Sequence, residues 1–97
     1  MQFNLNTNVR QEQIDSITQS NIDRIKQHLD EGKTEIELLI DNEFASEVKS
    51  KLVDLFEGQF DWLTIRREPN QYTGRMQYFT SERIGDQRRY KIRYITK

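Results

Sequence analysis

The chain has 97 residues, a formal net charge of -1 and no cysteine, which excludes two independent cores, disulfide staples and thiolate metal sites. Hydrophobic residues are 34% and charged residues 32%, so the core must be small, yet 25 residues are Leu, Ile, Val or Phe and the near-zero net charge argues against disorder. A pI of 5.8 excludes a generally basic protein, but the charge is divided: residues 1–58 hold six Lys/Arg and twelve Asp/Glu, residues 59–97 nine and four, with seven of the ten aromatics.

MQFNLN alternates Phe3 and Leu5 with polar residues and predicts a short first strand. Asn8 then reads as a helix cap, with Gln11 three residues on as its capping-box partner. Over residues 9–31, Ile14, Ile17, Ile22, Ile25 and Leu29 fall in one arc of about 140° at the helical period, and Gly32 is the stop. KTEIELLI places Ile36, Leu38 and Ile40 on one strand face and Glu35, Glu37 and Leu39 on the other; the partly apolar second face predicts an interior strand. Asp41 or Asn42 caps a second helix over residues 43–57, whose stripe is Phe44, Val48, Leu52, Leu55 and Phe56, with Val53 off it and Gly58 as its end.

QFDWLTIRR reads as a strand, and EPNQYTG, which holds the only proline, as the strongest break in the chain. A two-residue turn at Gly85 and Asp86 sets Ile84 opposite Gln87 and runs residues 76–83 against 88–95. That register gathers Phe79, Tyr90, Ile92 and Tyr94 on one face, and Met76, Tyr78, Thr80, Glu82, Arg89, Lys91, Arg93 and Ile95 on the other. The expected fold is one α+β domain over residues 1–97 in the order β-α-β-α-β-β-β, two helices on a mainly antiparallel or mixed sheet that ends in a hairpin. Right-handed crossovers with a strand order progressing one way put both helices on one face and leave the other open; a reversed order gives each face a helix.

The sharpest functional signal is the last stretch, RRYKIRYITK, in which five of ten residues are basic. With Leu63 and Ile65 turned to the helices, the third strand sends Phe60, Trp62, Thr64 and Arg66 outward, beside Tyr78, Arg89, Lys91 and Arg93. Rings between fixed cations on an open sheet suit stacked bases and phosphates, and Arg83 opposite Arg88 is a like-charge pair an anion would relieve. The opposing reading is structural: Glu35 and Glu37 can neutralise Arg89, Lys91 and Arg93, Glu82 faces Arg89, and the alternative strand phase buries Trp62 with Phe60. An outward patch of Phe60, Trp62, Met76, Tyr78 and Ile95 would instead mark a protein interface or self-association.

Signals for catalysis are poor. His28 sits at the margin of the first helix's stripe, Asp41, Asn42 and Glu43 fit capping and the helix dipole, and Glu47-Val48-Lys49 lies on a helix rather than the strand that a nuclease motif needs. There is no phosphate-binding glycine loop. The acids of the first helix alternate with Arg10, Arg24 and Lys26, a mixed solvated face rather than a phosphate-like row. With no apolar leader and no membrane span, a cytoplasmic protein is expected; ten isoleucines and nine glutamines against one alanine suit an AT-rich genome or a small viral reading frame. The expectation is a non-catalytic protein without cofactor or metal, a regulator or adaptor that engages a protein partner or a second copy through the open sheet face and hairpin. Its partner-binding residues would be Trp62, Arg66, Tyr78, Arg89, Lys91 and Arg93, with single-stranded DNA or RNA on the same face as the alternative.

Overall fold

The computed structural model describes residues 5–95. The strand expected over residues 1–6 falls mostly outside that range, and its last two residues, Leu5 and Asn6, are helical. Helix α1 (Leu5–Asp30) is 26 residues long, about 39 Å at the helical rise. Asn8 therefore lies within it rather than at its start: no glycine or proline interrupts the preceding residues, and the propensity cost of Asn and Thr is only a fraction of a kcal/mol each. Ile14 and Ile25 are buried, and Ile17, Ile22 and Leu29 flank them as the stripe predicts. Two polar residues on the same side, Thr18 and Asn21, satisfy themselves locally by donating to the carbonyls of Ile14 and Ile17 at 2.7 and 2.8 Å, so their burial leaves no unpaired donor there. Gly32, at φ +81°, ends the helix: its N–H donates to Leu29 O and that of Lys33 to His28 O, the paired bonds of a Schellman cap.

Strand β1 (Glu35–Asp41) alternates exposed and buried residues without exception. Helix α2 (Ala45–Leu55) begins later and ends earlier than its apolar pattern suggests. Neither Asp41 nor Asn42 caps it: Asp41 is the last residue of β1, residues 42–44 turn, and Phe44 precedes the helix with no side-chain cap. Asn42 is engaged elsewhere, its Oδ1 accepting from Arg88 Nε at 3.1 Å. Phe44, Val48 and Leu52 are buried and Phe56 half-buried, whereas Leu55 is exposed.

The remaining strands are β2 (Phe60–Trp62), β3 (Arg66–Pro69), β4 (Met76–Phe79), β5 (Ser81–Ile84) and β6 (Gln87–Tyr94). β6 is the centre of the main sheet. β1 pairs along one edge of it, while β2 and β5 share the other, β2 against the end of β6 and β5 against its start. All these pairings are antiparallel. The hairpin register at Gly85 and Asp86 is as expected, with Ile84 opposite Gln87 and Glu82 opposite Arg89. Residues 76–79, however, do not continue along β6. That edge is already taken by β2, so β4 pairs instead with β3, Arg66 opposite Phe79 and Arg67 opposite Tyr78. The expected single strand QFDWLTIRR is accordingly two: β2 in the main sheet and β3 in a separate ribbon.

Ile36, Leu38, Ile40, Tyr90 and Ile92 all face one way and form a single buried cluster with Ile14, Ile25, Val48 and Leu52. Both helices therefore cover the same face of the sheet, and the other face is open. β1 is an edge strand, contrary to the expectation of an interior one, since among the described residues β6 is its only strand partner. Among the described residues, no helix is long and apolar enough to cross a membrane. The β3–β4 ribbon departs from the body: every residue from Arg66 to Tyr78 is exposed except the half-buried Asn70. It contributes to a radius of gyration of 15.9 Å, against about 13 Å for a compact chain of this size.

Candidate functional site

Alternation along β6 turns Arg89, Lys91 and Arg93 onto the open face and Tyr90, Ile92 and Tyr94 toward the helices. Across from the three cations stand carboxylates on both sides. Glu35 lies opposite Arg93 and Glu37 opposite Lys91 on β1; Asp61 lies opposite Arg93 on β2, and Glu82 opposite Arg89 on β5. The half-buried Arg89 guanidinium donates from Nη1 to Glu37 at 3.0 Å and from Nη2 to Glu82 at 2.6 Å. These hydrogen bonds, Glu82 first and Glu37 second, hold its pKa above the ordinary arginine value. Glu35 stands 3.7 Å from Arg93 and 4.0 Å from Lys91. The outer face is thus striped by charge, acidic on β1, basic on β6 and acidic again on β2 and β5, with more carboxylates than cations. A phosphate approaching it would meet cations already engaged and acids on both flanks.

Trp62 does not join that face. Its register opposite Ile92 puts it, with Phe60, on the helix side, where its ring meets Tyr90 edge-on at 5.5 Å between centroids. Phe60 does the same with Tyr94 at 5.6 Å and with Phe56 at 5.2 Å. Lys49 Nζ lies 5.1 Å from the Trp62 ring centre and 5.5 Å from that of Tyr90, a cation–π contact with both rings. Of the two strand phases, the one that turns Trp62 to the helix side is the one adopted, leaving it half-buried: β2 must match the inward set Tyr90, Ile92 and Tyr94 of the strand it pairs with.

Arg66 and Tyr78 lie on the β3–β4 arm, away from Arg89, Lys91 and Arg93 in the register. The six residues expected to form one surface are therefore divided among the core side, the outer face and the arm. Opposed residues share a face of the ribbon. One face carries Arg66, Glu68, Gln77 and Phe79, with Arg66 bonded to Glu68 at 2.9 Å and stacked 5.0 Å over Phe79. The other carries Arg67, Pro69, Met76 and Tyr78. There Tyr78 is 63% and Met76 48% exposed, and Arg67 has no carboxylate within salt-bridge reach among the described residues. Pro69 is tolerated because the ladder bond from Asn70 N to Arg75 O places the proline nitrogen at a position directed to the ribbon's free edge.

The tip is pre-set. Asn70 Oδ1 accepts from the N–H groups of Tyr72 and Thr73 at 2.8 and 3.0 Å, Gly74 N–H donates to Asn70 O, and Gly74 takes φ +72°. This Asx-type turn holds Tyr72 out with 88% of its surface exposed, beside Arg75, which also lacks a carboxylate partner among the described residues. In the sequence, EPNQYTG reads only as a break between strands that are not paired with each other. The signal that could have found it is the pair of arginines before the proline and Met-Gln-Tyr-Phe after the glycine, two short strand runs around a glycine-containing loop.

Arg83 and Arg88, the pair expected to attract an anion, are hydrogen-bonded to neutral acceptors of the protein. Arg88 donates to Asn42 Oδ1 at 3.1 Å and Ser81 Oγ at 2.7 Å, and Arg83 to Gly85 O at 2.9 Å. His28 Nδ1 is buried, 3.7 Å from Glu31 Oε2, and makes no hydrogen bond among the described residues. Glu47 is engaged by Arg10 and Lys49 by the rings of Trp62 and Tyr90, so the Glu47-Val48-Lys49 run offers no shared site. Among the described residues, no group of three or more His, Asp or Glu side chains is placed to hold a metal ion.

Burial pushes the Tyr90 hydroxyl above its ordinary pKa, with Arg88 partly offsetting it. The unfolded chain therefore loses this proton at lower pH than the folded one, and stability falls as pH rises through the unfolded tyrosine value of about 10. Thermal unfolding monitored between pH 8 and 11 is expected to show a declining midpoint that Tyr90→Phe flattens; an unchanged slope in Tyr90→Phe would contradict it.

No family model matches the chain, and no curated protein and no solved structure is significantly similar to it.

Proposed function

We propose that this chain is a small non-catalytic binding protein, a cytoplasmic regulator or adaptor that docks on a protein partner through the β3–β4 arm, with the outer sheet face as flanking surface. The observation that carries the reading is the arm itself: a pre-formed ribbon that exposes Tyr72, Met76 and Tyr78 together with Arg67 and Arg75, the residue types enriched where protein interfaces concentrate their energy. A rigid tip lowers the ordering cost of binding. Nucleic acid is the less favoured partner. The outer-face cations are paired, and the whole chain, at pI 5.8, lacks the basic footprint of such proteins.

The test compares quantitative affinity capture by three tagged forms: the wild type, an arm variant (Arg67→Ser, Tyr72→Ser, Tyr78→Ser) and a face variant (Arg89→Ser, Lys91→Ser, Arg93→Ser). Proteins retained by the wild type should be lost by the arm variant at least tenfold, and more weakly by the face variant. Equal capture by the arm variant would overturn the site. A parallel titration with mixed-sequence oligonucleotides should show no binding; saturable binding that falls steeply between about 50 and 200 mM salt would replace the protein reading with the nucleic-acid one.

A further inference from the structure

The free edge of β1 is a second candidate surface, independent of the arm. The bonds from Tyr94 N–H to Thr34 O and from Asn42 N–H to Asp86 O fix the phase of the β1–β6 ladder. Even-numbered residues of β1 exchange hydrogen bonds with β6, so the N–H and C=O groups of Glu35, Glu37, Leu39 and Asp41 point to the opposite, unpaired edge. Two of these carbonyls have partners: Asp41 O accepts from Phe44 N–H at 2.9 Å, and Glu37 O from Arg24 Nε of α1 at 3.2 Å. Arg24 thus occupies Glu37 O, and a donor arriving along the edge would have to displace it there.

The edge also runs beside a groove of about 340 Å³ between β1 and α1, lined on the helix side by Ser16, Ile17, Ser20 and Arg24. The small hydroxyls leave room where a longer side chain would fill it. Leu39 stands 42% exposed at its rim, the one apolar residue among the outward residues of β1, which is why the strand reads as interior in the sequence. Charge is one of the devices that blunt a bare edge; on β1 Glu35, Glu37 and Asp41 carry it, and Leu39 in the middle of the strand is apolar.

We infer that this edge accepts an added strand, and that the strand it fits is basic. The sign alternation of the outer face supplies the second half of that inference. The columns run acidic on β1, basic on β6 and acidic on β2 and β5, so the position beyond β1 continues the pattern only if it is basic, setting Lys or Arg against Glu35, Glu37 and Asp41. Its other face would carry small apolar residues over Ile17 and the serines of α1. A second copy of β1 is the wrong occupant: antiparallel pairing centred on Leu39 sets Glu37 against Asp41, and centring on Leu38 sets Glu35 against Asp41, like charges directly opposed. The ligand class is therefore an extended peptide segment with lysine or arginine at alternate positions, bound by strand addition.

The probe is a nine-residue peptide alternating lysine and valine, compared with its glutamate–valine counterpart and with a lysine–valine peptide N-methylated along one edge. On the full chain, the lysine peptide is expected to slow amide exchange of Glu35, Glu37 and Leu39 at least tenfold, leaving Ile36, Leu38 and Ile40, already paired to β6, unchanged. The glutamate and N-methylated peptides should bind at least tenfold more weakly. Arg24→Ala should tighten lysine-peptide binding several-fold by freeing Glu37 O, and the arm variant should bind it as the wild type does, which separates this site from the arm. Binding of the lysine peptide without protection of the odd-numbered amides, or equal affinity of the N-methylated form, would overturn strand addition. Concentration-dependent protection of those amides with no peptide present would overturn the basic-strand assignment in favour of a second copy.

Discussion

Truncating Ile92 to alanine should lower the free energy of unfolding by about 3 kcal/mol, within the range of 2–5 that large-to-small core substitutions cost. Ile92 is 1% exposed and lies where the sheet is widest at its core: Ile36 of β1 is its cross-strand partner on one side and Trp62 of β2 on the other. Its removal opens a void bounded by two strands and the helix layer, and the ladder on both sides restrains collapse into it. Domains of this size are stable by only about 5–15 kcal/mol, so the loss is a large part of the total. The matched control is Leu39→Ala, an apolar truncation on the outer face, which should change stability by less than about 0.5 kcal/mol. Urea unfolding of both variants, with the denaturant slope checked for constancy, decides the comparison. An effect of Leu39→Ala as large as that of Ile92→Ala would contradict the assignment of the helix face as the core side.

What the sequence made legible was local. The helix stripes of Ile14, Ile25, Val48 and Leu52, the Gly32 stop, and the turn at Gly85 and Asp86 are each set by residues within a few positions of one another, and each is found in the structure. The turn in turn fixed which side of β6 is buried, so the inward set of Tyr90 and Ile92 and the Glu82–Arg89 pair followed. What it left hidden were competitions between distant segments. β6 has one edge to share between β2 and β5, and no local pattern states that β2 occupies its far end; for that reason β4 could not be seen to pair with β3. The position of β1 at the sheet margin is the same kind of fact. Its alternation specifies two faces but not how many neighbours it has, and an exposed Leu39 mimics an interior strand. The candidate site was scattered for this reason: Tyr78 was joined to Arg89, Lys91 and Arg93 by a register that held only as far as Ser81, and Trp62 and Arg66 by a strand phase that the structure does not adopt.

Trp62→Ala and Tyr78→Ser separate folding from binding, and the two should move opposite quantities. Trp62 fills the space between Tyr90, Phe60, the Lys49 ammonium and the C-terminal part of α2, in a small crevice also lined by Leu52, Val53 and Phe56. Removing the indole forfeits an edge-to-face ring pair and a cation–π contact along with its buried area, and should cost about 2–4 kcal/mol of stability. Tyr78 is 63% exposed on the arm, and its loss should alter stability by less than about 0.5 kcal/mol. Binding reverses the order. Tyr78→Ser should weaken partner retention at least tenfold, on the scale of an interface anchor at about 1.4 kcal/mol or more, whereas Trp62→Ala, assayed well below its lowered unfolding midpoint, should retain the partner within about threefold. A Trp62→Ala protein that is folded by circular dichroism but no longer binds would return Trp62 to the contact surface, and a Tyr78→Ser protein that binds as the wild type does would remove the arm from it.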